Sequence, residues 1–151
     1  MGMTQHHINS LHGYADHQRA IASIRSLLLD PGISAKRVGA LGETYVAAWL
    51  ASRGWTILDR NWGTRYGELD IVGADPEGIL VFVEVKTRRS TTFGHAQEAV
   101  DSRKQAHLRS VAAQWMIAPE HRRSRAGIRF DVVTLTLTDG GLSLRHIPGA
   151  F

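Results

Sequence analysis

Apolar residues recur at helical spacing in two stretches near the start of the chain. The first predicts a short amphipathic helix that ends at Asp30-Pro31-Gly32, with apolar positions at Ile21, Ile24, Leu27 and Leu28. The second begins after the capping residue Ser34 and stops before Gly54, with apolar positions at Val38, Leu41, Tyr45 and Trp49. Residues 1–20 are polar and show no packing period, which predicts disorder there. We therefore divide the chain into a polar N-terminal extension with a short amphipathic helix, residues 1–33, and a folded domain, residues 34–151.

Five further stretches have the apolar pattern of β-strands, and we predict strands at 55–62, 68–73, 79–87, 130–137 and 142–147. Short turns join the first three strands, so these should form an antiparallel meander. A helix predicted over residues 101–117 separates the third strand from the fourth, which permits those two strands to run parallel. The prediction is an α/β fold with a mixed five-stranded sheet flanked by helices, in the order α-β-β-β-α-β-β.

Two charged residues interrupt the apolar third strand. Glu84 and Lys86 project from one face of it, because residues two apart in a strand share a face. Charged side chains are rarely buried there without partners. If the turn at 75–78 pairs the second and third strands as a simple hairpin, Asp70 lies opposite Glu84. Their Cβ atoms are then roughly 4.5–5.5 Å apart.

Two carboxylates at that separation repel each other unless one is protonated or a cation lies between them. Lys86 supplies one charge beside Glu84, but a single ammonium does not chelate two carboxylates. A hard divalent cation such as Mg²⁺ does, and it keeps water molecules that a phosphate can replace. Glu43 on the second helix is a third candidate acid, since its neighbours three and four residues away carry no charge. The alternative is a structural network of ion pairs among these side chains.

The composition narrows the class of protein. The 151 residues include no cysteine, which excludes disulfides and thiolate metal sites and fits a reducing cytoplasm. The chain has no apolar run long enough to cross a membrane and no apolar segment of a signal peptide, so we expect a cytoplasmic protein without a membrane partner. Lysine and arginine number 18 against 14 acidic residues, a formal charge of +4, which favours a polyanionic partner.

An ordered set of motifs runs through the predicted domain. It consists of GALGETYVAAWL around Glu43, YGELDIV around Asp70, VFVEVKTR around Glu84, a helix containing Lys104, and RFDVV. Over roughly residues 38–133 this set resembles the YraN-type family of small bacterial proteins. That family is similar to restriction-endonuclease-like PD-(D/E)XK nucleases near the archaeal Holliday junction resolvases, whose signature is an acid, a spacer and Glu/Asp-x-Lys. Many of those nucleases have proline before the first acid, where this chain has Leu69.

The resemblance implies a restriction-endonuclease-like sheet and a divalent-metal-dependent endonuclease that hydrolyses phosphodiester bonds in structured or branched DNA. It implies that Asp70 and Glu84 hold Mg²⁺ or Mn²⁺ with help from the Val85 carbonyl. Lys86 would then orient the attacking water, and Glu43 would support the metal. A four-way junction has two-fold symmetry, so a resolvase would act as a homodimer. The alternative is a non-catalytic nucleic-acid-binding protein on the same fold.

Basic and aromatic residues around these motifs are candidates for sequence-independent nucleic-acid contacts. They are Arg65, Tyr66, Arg88, Arg89, Lys104, Arg122, Arg123 and Arg125. Ordinary solvated turns have the same composition, and Lys104 can equally extend towards solvent. Three other residues are weaker candidates: Glu68 as a further metal ligand or an acid at the rim, Asp131 as a structural acid, and His95 as a surface histidine.

Overall fold

The computed structural model describes residues 5–89 and 100–151, with side chains from residue 13 onward in the first range. The helices in these ranges are α1 (Gln5–Leu28), α2 (Ala35–Ser52), α3 (Ser102–Ile117) and a short 3-10 helix (Pro119–His121). The strands are β1 (Thr56–Thr64), β2 (Gly67–Ala74), β3 (Ile79–Arg89), β4 (Gly127–Thr138) and β5 (Gly141–Ile147).

The five strands form one sheet in the order β1-β2-β3-β4-β5. β3 and β4 run parallel, and the other neighbouring pairs are antiparallel. The parallel pair follows from the connection through α3, because a hairpin turn can join only antiparallel strands. The predicted α/β fold class, mixed sheet and order of elements are confirmed.

Each face of the sheet has its own hydrophobic core. On one face Val83 of β3 packs in a cluster with Val46 of α2, and on the other face Phe82 packs in a cluster with Trp115 of α3. The rings of Phe82 and Trp115 meet edge-on, with centroids 6.0 Å apart. Since residues two apart share a face, Glu84 is on the α3 side of the sheet with Phe82.

Helix α1 is longer than the apolar pattern predicts. It begins at Gln5 instead of near Ile21, so the prediction of disorder over residues 1–20 is wrong from Gln5 onward. Ile21, Ile24 and Leu28 pack against the core that contains α2. This packed end supplies the nucleus, and adding further turns to an existing helix costs little, which explains why a polar stretch extends it.

None of the helices in the described ranges combines the length and the apolar character that crossing a membrane requires.

The side chains of β2 do not alternate strictly between the two faces of the sheet on either side of Asp70. Strict alternation along β2 predicts Leu69 and Ile71 on one face, but Leu69 packs in the α3 core and Ile71 packs in the α2 core. Asn61, on the neighbouring strand, has a positive φ of 52°. Asparagine is enriched in this left-handed conformation among residues other than glycine. The break in alternation therefore occurs at Asp70, a candidate site residue, and the side chains before and after Asp70 lie on opposite faces of the sheet.

Helix α2 crosses β3 in close contact at Gly42. A Cβ atom added to Gly42 would overlap Oγ1 of Thr87 and lie 2.9 Å from the Thr87 Cβ atom, closer than real Cβ atoms approach each other. Glycine therefore permits the approach of this helix to the sheet. Glu43 is the next residue of α2, so the same contact sets how near Glu43 comes to the strands.

We predict that Gly42→Ala lowers the free energy of unfolding by about 1–3 kcal/mol, because the added methyl group forces α2 away from Thr87. Denaturant unfolding followed by circular dichroism measures the change. Gly39→Ala on the same helix is the matched control, since a Cβ there has no atom within 4 Å; it should be neutral or stabilising. Adding Thr87→Ala should recover part of the loss, and equal stability of the two glycine variants would contradict the close contact.

Candidate functional site

Asp70 and Glu84 lie on the same side of the sheet and line one cleft. The β2–β3 ladder pairs Ile71 with Val83, so Asp70 and Glu84 are the next residues along that register, as the simple hairpin predicts. The cleft they line has a volume of about 240 Å³, and its walls include Tyr66, Glu68, Lys104 and His107. Glu84 is only 7% exposed, so its carboxylate sits at the bottom of an opening that is otherwise accessible.

Asp70 is the acid that holds a proton near neutral pH. Burial raises its pKa, the negative charge of Glu84 raises it further, and together they bring the pKa of Asp70 to about 8. A hydrogen bond from the Val85 N–H to Asp70 Oδ2, 2.9 Å long, acts in the opposite direction but is weaker. The protonated Asp70 shares a hydrogen bond with Glu84, which is how two carboxyl groups come to lie so close together.

Glu43 reaches the same acids from α2. Burial raises the pKa of Glu43 above its ordinary value, a hydrogen bond with Asp70 lowers it, and the charge of Glu68 raises it. With its amide nitrogen facing the acids, Asn61 donates to Glu43 Oε2 at 2.7 Å and to Glu68 Oε1 at 3.0 Å. The irregular residue of β1 therefore bridges two carboxylates that would otherwise repel each other.

Two lysines approach Glu84. Lys104 Nζ lies 2.7 Å from Glu84 Oε1, and this hydrogen bond raises the pKa of Lys104 although burial opposes it. Lys86 lies two residues after Glu84 on β3. Burial lowers the pKa of Lys86 below its ordinary value, the Glu84 charge partly offsets this, and the Lys104 charge lowers it again. Both ammonium groups therefore act on a cleft whose acids outnumber them.

The donor set fits a hard divalent cation by its chemistry. Glu43, Asp70 and Glu84 offer only oxygen atoms, which Mg²⁺ and Mn²⁺ prefer. The raised pKa of Asp70 means that ionising all three acids is unfavourable without additional positive charge. Among the side chains of residues 13–89 and 100–151, however, no group of three or more His, Asp or Glu stands at chelating geometry. As arranged here, a shared proton and Lys104 balance the acids, and metal ligation stays a prediction.

Val85 contacts the site through its amide. The resemblance implies a role for the Val85 carbonyl as a metal ligand, whereas the contact described here is the hydrogen bond that its N–H donates to Asp70. The Val85 side chain packs against the α2 core on the other face. Val85 thus fixes the orientation of the Asp70 carboxyl group, and a carbonyl ligand at this position stays a prediction.

The turn between β1 and β2 forms one rim of the cleft. Tyr66 is 52% exposed, and the Arg65 guanidinium lies over its ring, 4.7 Å from the centroid. Tyr66 also lines the cleft that contains Asp70. An exposed ring with a guanidinium stacked on one face offers a base-stacking surface and a positive charge at the same place.

The two arginines that end β3 point to different environments. Arg88 shares a face with Lys86, and its positive charge contributes to the lowered pKa of that lysine. Arg89 is exposed and donates a 2.5 Å hydrogen bond to the Ile33 carbonyl, between α1 and α2. Arg88 therefore lies on the side of the carboxylates, and Arg89 ties the helical layer to the sheet.

The third basic cluster is distant from the carboxylates. Arg122, Arg123 and Arg125 are exposed in the loop that follows α3. Lys104 is in the first turn of α3 and the cluster follows the last turn, so a helix roughly 20 Å long lies between Lys104 and the cluster. Arg122 and Arg123 border a separate cleft of about 160 Å³ with Trp115.

Two residues of the cleft escape prediction from the sequence. Asn61 bridges Glu43 and Glu68, and the available signal is an asparagine inside a predicted strand, where it is a poor strand former. His107 lines the cleft one helical turn after Lys104. Its signal is the three-residue spacing, which puts both side chains on one face of α3.

Of the three weaker candidates, one lies at the rim of the cleft, one is a structural acid and one is outside the described residues. Glu68 is exposed and contacts the Asn61 amide at the rim of the cleft. Asp131 is fully buried and satisfied by hydrogen bonds of 2.8–3.0 Å from Arg129, His146 and the Gly149 N–H. That arrangement is what a structural acid requires. His95 lies outside the described residues.

Comparison with known proteins identifies the family of the chain. The profile described as "Uncharacterised protein family UPF0102" matches residues 42–135, which include the three acids and Lys86. A UPF0102 protein of Bifidobacterium longum (strain NCC 2705) is 51% identical over 122 residues, or 81% of this chain and 98% of the relative. A UPF0102 protein of Frankia casuarinae is 47% identical over 115 residues (76% and 95%), and one of Trichlorobacter lovleyi is 44% identical over 115 residues (76% and 89%). The chain belongs to the UPF0102 family, of the YraN type.

Proposed function

We propose that this protein is a divalent-metal-dependent endonuclease that hydrolyses phosphodiester bonds in structured or branched DNA. The observation that carries the proposal is the convergence of Glu43, Asp70 and Glu84 beside Lys86, with Asp70 and Glu84 lining an open cleft. Buried acids in mutual contact disfavour folding, so a fold that assembles them is more readily explained by a reaction than by stability. The preference for branched DNA comes from the resemblance to junction resolvases.

The acids are the groups that would hold the ion. Asp70 and Glu84 would be its direct ligands with the Val85 carbonyl, and Glu43 would support them from α2. When bound, Mg²⁺ or Mn²⁺ supplies Lewis-acid polarisation of the phosphate and lowers the pKa of a water molecule. Asn61 would keep Glu43 in place through its amide.

Lys86 would act on the reacting groups. It shares a face with Glu84, and its pKa is lowered chiefly by burial, so its ammonium is less well solvated than a surface lysine. A negatively charged phosphate in the cleft would stabilise the Lys86 ammonium and so replace the hydration that the ammonium loses on burial. The attraction between the Lys86 ammonium and the phosphate oxygens would increase as negative charge develops on those oxygens. Lys86 would therefore stabilise the transition state more than the bound substrate.

Nucleic acid would meet the protein along the rim of the cleft. Tyr66 and Arg65 offer stacking and charge, and Lys104 and Arg88 add charge nearby. Arg122, Arg123 and Arg125, which follow the other end of α3, would contact the DNA backbone farther along the duplex. Cutting both strands of a symmetric junction would use a homodimer.

A second candidate is a non-catalytic nucleic-acid-binding protein in which the acids form an internal network. It is favoured by the Lys104–Glu84 ion pair and by the absence of chelating geometry among the described residues. The two candidates differ in metal-dependent cleavage, so assays with defined DNA substrates separate them.

We predict that Glu84→Gln reduces Mg²⁺- or Mn²⁺-dependent nicking of four-way, flap or nicked DNA by roughly 100-fold or more, because a metal-ligating charge is lost. Glutamine keeps the size of the side chain and an oxygen that can accept from Lys104. Glu77→Gln, in the exposed β2–β3 turn, is the control and should cleave normally. Cleavage retained by Glu84→Gln would refute the role of Glu84, and no cleavage of any substrate by the unaltered protein would favour the second candidate.

We predict that Lys86→Met slows single-turnover cleavage by roughly 100-fold while changing DNA affinity by less than about threefold, since its charge acts mainly on the transition state. Fluorescence anisotropy gives the affinity, and quench-flow gives the rate. Lys36→Met, an exposed change on α2, is the control for net charge. Equal losses in affinity and rate would make Lys86 a binding residue instead.

A further inference from the structure

Glu84 has a positively charged partner from another layer of the protein. Lys104 Nζ lies 2.7 Å from Glu84 Oε1, where the Glu84 side chain is 8% exposed and the Lys104 side chain is 54% exposed. The bond is thus made at the floor of the cleft by a side chain whose stem reaches in from the surface. A buried carboxylate with one such partner is stabilised by it, and removing the partner is costly.

The backbone of Lys104 is also held in place. Its N–H donates to Oδ1 of the helix-capping residue Asp101 at 2.8 Å, and Gln105 Nε2 donates to the Val100 carbonyl at 2.7 Å. The first turn of α3 is therefore fixed at its backbone while the Lys104 side chain bridges to β3. The Lys104–Glu84 ion pair joins the capped start of α3 to β3. The fixed helix start keeps Lys104 near Glu84, so the ion pair does not depend on a bound ligand.

Lys104 and a divalent cation require the same carboxylate. An oxygen that accepts a 2.7 Å bond from an ammonium group does not coordinate an ion from the same direction. An ammonium group and a dication that share one carboxylate also repel each other, and the low dielectric constant near a protein surface strengthens that repulsion. Lys86 adds a second ammonium on the same face, so an arriving ion meets repulsion as well as competition.

We propose that Lys104 is a resident counter-cation that occupies Glu84 and sets the metal affinity of the cleft by competing for that carboxylate. The inference rests on the proposed function, because it concerns the ion that function requires. It assigns Lys104 a role besides contact with DNA: the site binds metal more weakly with this lysine than without it. The ion must displace the ammonium group from Glu84 before both acids can ligate.

Calorimetric titration with Mn²⁺ alone, without DNA, tests the competition. Lys104→Met removes the charge and keeps the length of the side chain, and it should bind Mn²⁺ at least about fivefold more tightly than the unaltered protein. Arg103→Met is the matched control, because it removes one positive charge from the neighbouring exposed position of the same helix turn. It should change Mn²⁺ affinity by less than about twofold. Glu84→Gln should abolish binding in either background.

Thermal unfolding in EDTA tests the resident role without metal. Lys104→Met should melt at a lower temperature than Arg103→Met, because it leaves buried Glu84 without its ammonium partner. Lys104→Gln keeps a neutral donor for Glu84; it should melt closer to the unaltered protein and still bind Mn²⁺ more tightly. This second variant keeps the test valid if Lys104→Met fails to fold.

The outcomes separate the two proposals. Equal Mn²⁺ affinity of the unaltered protein and both Lys104 variants would overturn the competition while leaving the proposed function intact. Weaker binding by the variants would also overturn it and would make Lys104 a supporting residue. If neither the unaltered protein nor the variants bind Mn²⁺, the proposed function fails together with the inference.

Discussion

The contact between the carboxyl groups of Asp70 and Glu84 is the constraint on which the rest of the site depends. Antiparallel pairing of β2 and β3 puts the two acids side by side, and burial leaves little water to screen them. They remain together because Asp70 keeps a proton and because Lys104 neutralises Glu84. A dication bound between the two acids could replace both the proton on Asp70 and the ammonium group of Lys104. The folded structure is linked to the proposed chemistry in this way.

The surrounding fold brings a third acid to this pair. Gly42 lets α2 lie against Thr87, so Glu43 is close enough to hydrogen-bond with Asp70. Asn61 has a left-handed backbone, and its amide joins Glu43 to Glu68 at the rim. The close packing of α2 on the sheet and the irregular residue Asn61 thus bring Glu43 next to Asp70. A regular sheet would keep side chains from its opposite faces apart.

Periodicity and turn chemistry were sufficient to predict the order of elements, the parallel β3–β4 pair and the opposition of Asp70 to Glu84, because these depend on local pattern and short connections. The polar first turns of α1 carry no apolar period, so their helix was not predictable. Leu69 and Ile71 pack on opposite faces of the sheet, and the alternating pattern of the sequence gives no sign of this. The Lys104–Glu84 bond depends on how α3 docks on β3, and a long flexible side chain gives no hint of its partner in sequence.

The pH dependence of stability in Asp70→Asn tests the forced proximity of the acids most directly, since it needs neither metal nor DNA. Folding raises the pKa of Asp70 from 3.8 to about 8, so the folded protein binds a proton that the unfolded chain releases between those values. Its free energy of unfolding should therefore fall from pH 4 to pH 8 relative to that of Asp70→Asn, by on the order of 2 kcal/mol after allowance for solvent screening. Asp139→Asn, in an exposed turn, should follow the unaltered protein. Parallel curves for the unaltered protein and Asp70→Asn across this range would contradict the proximity of the acids.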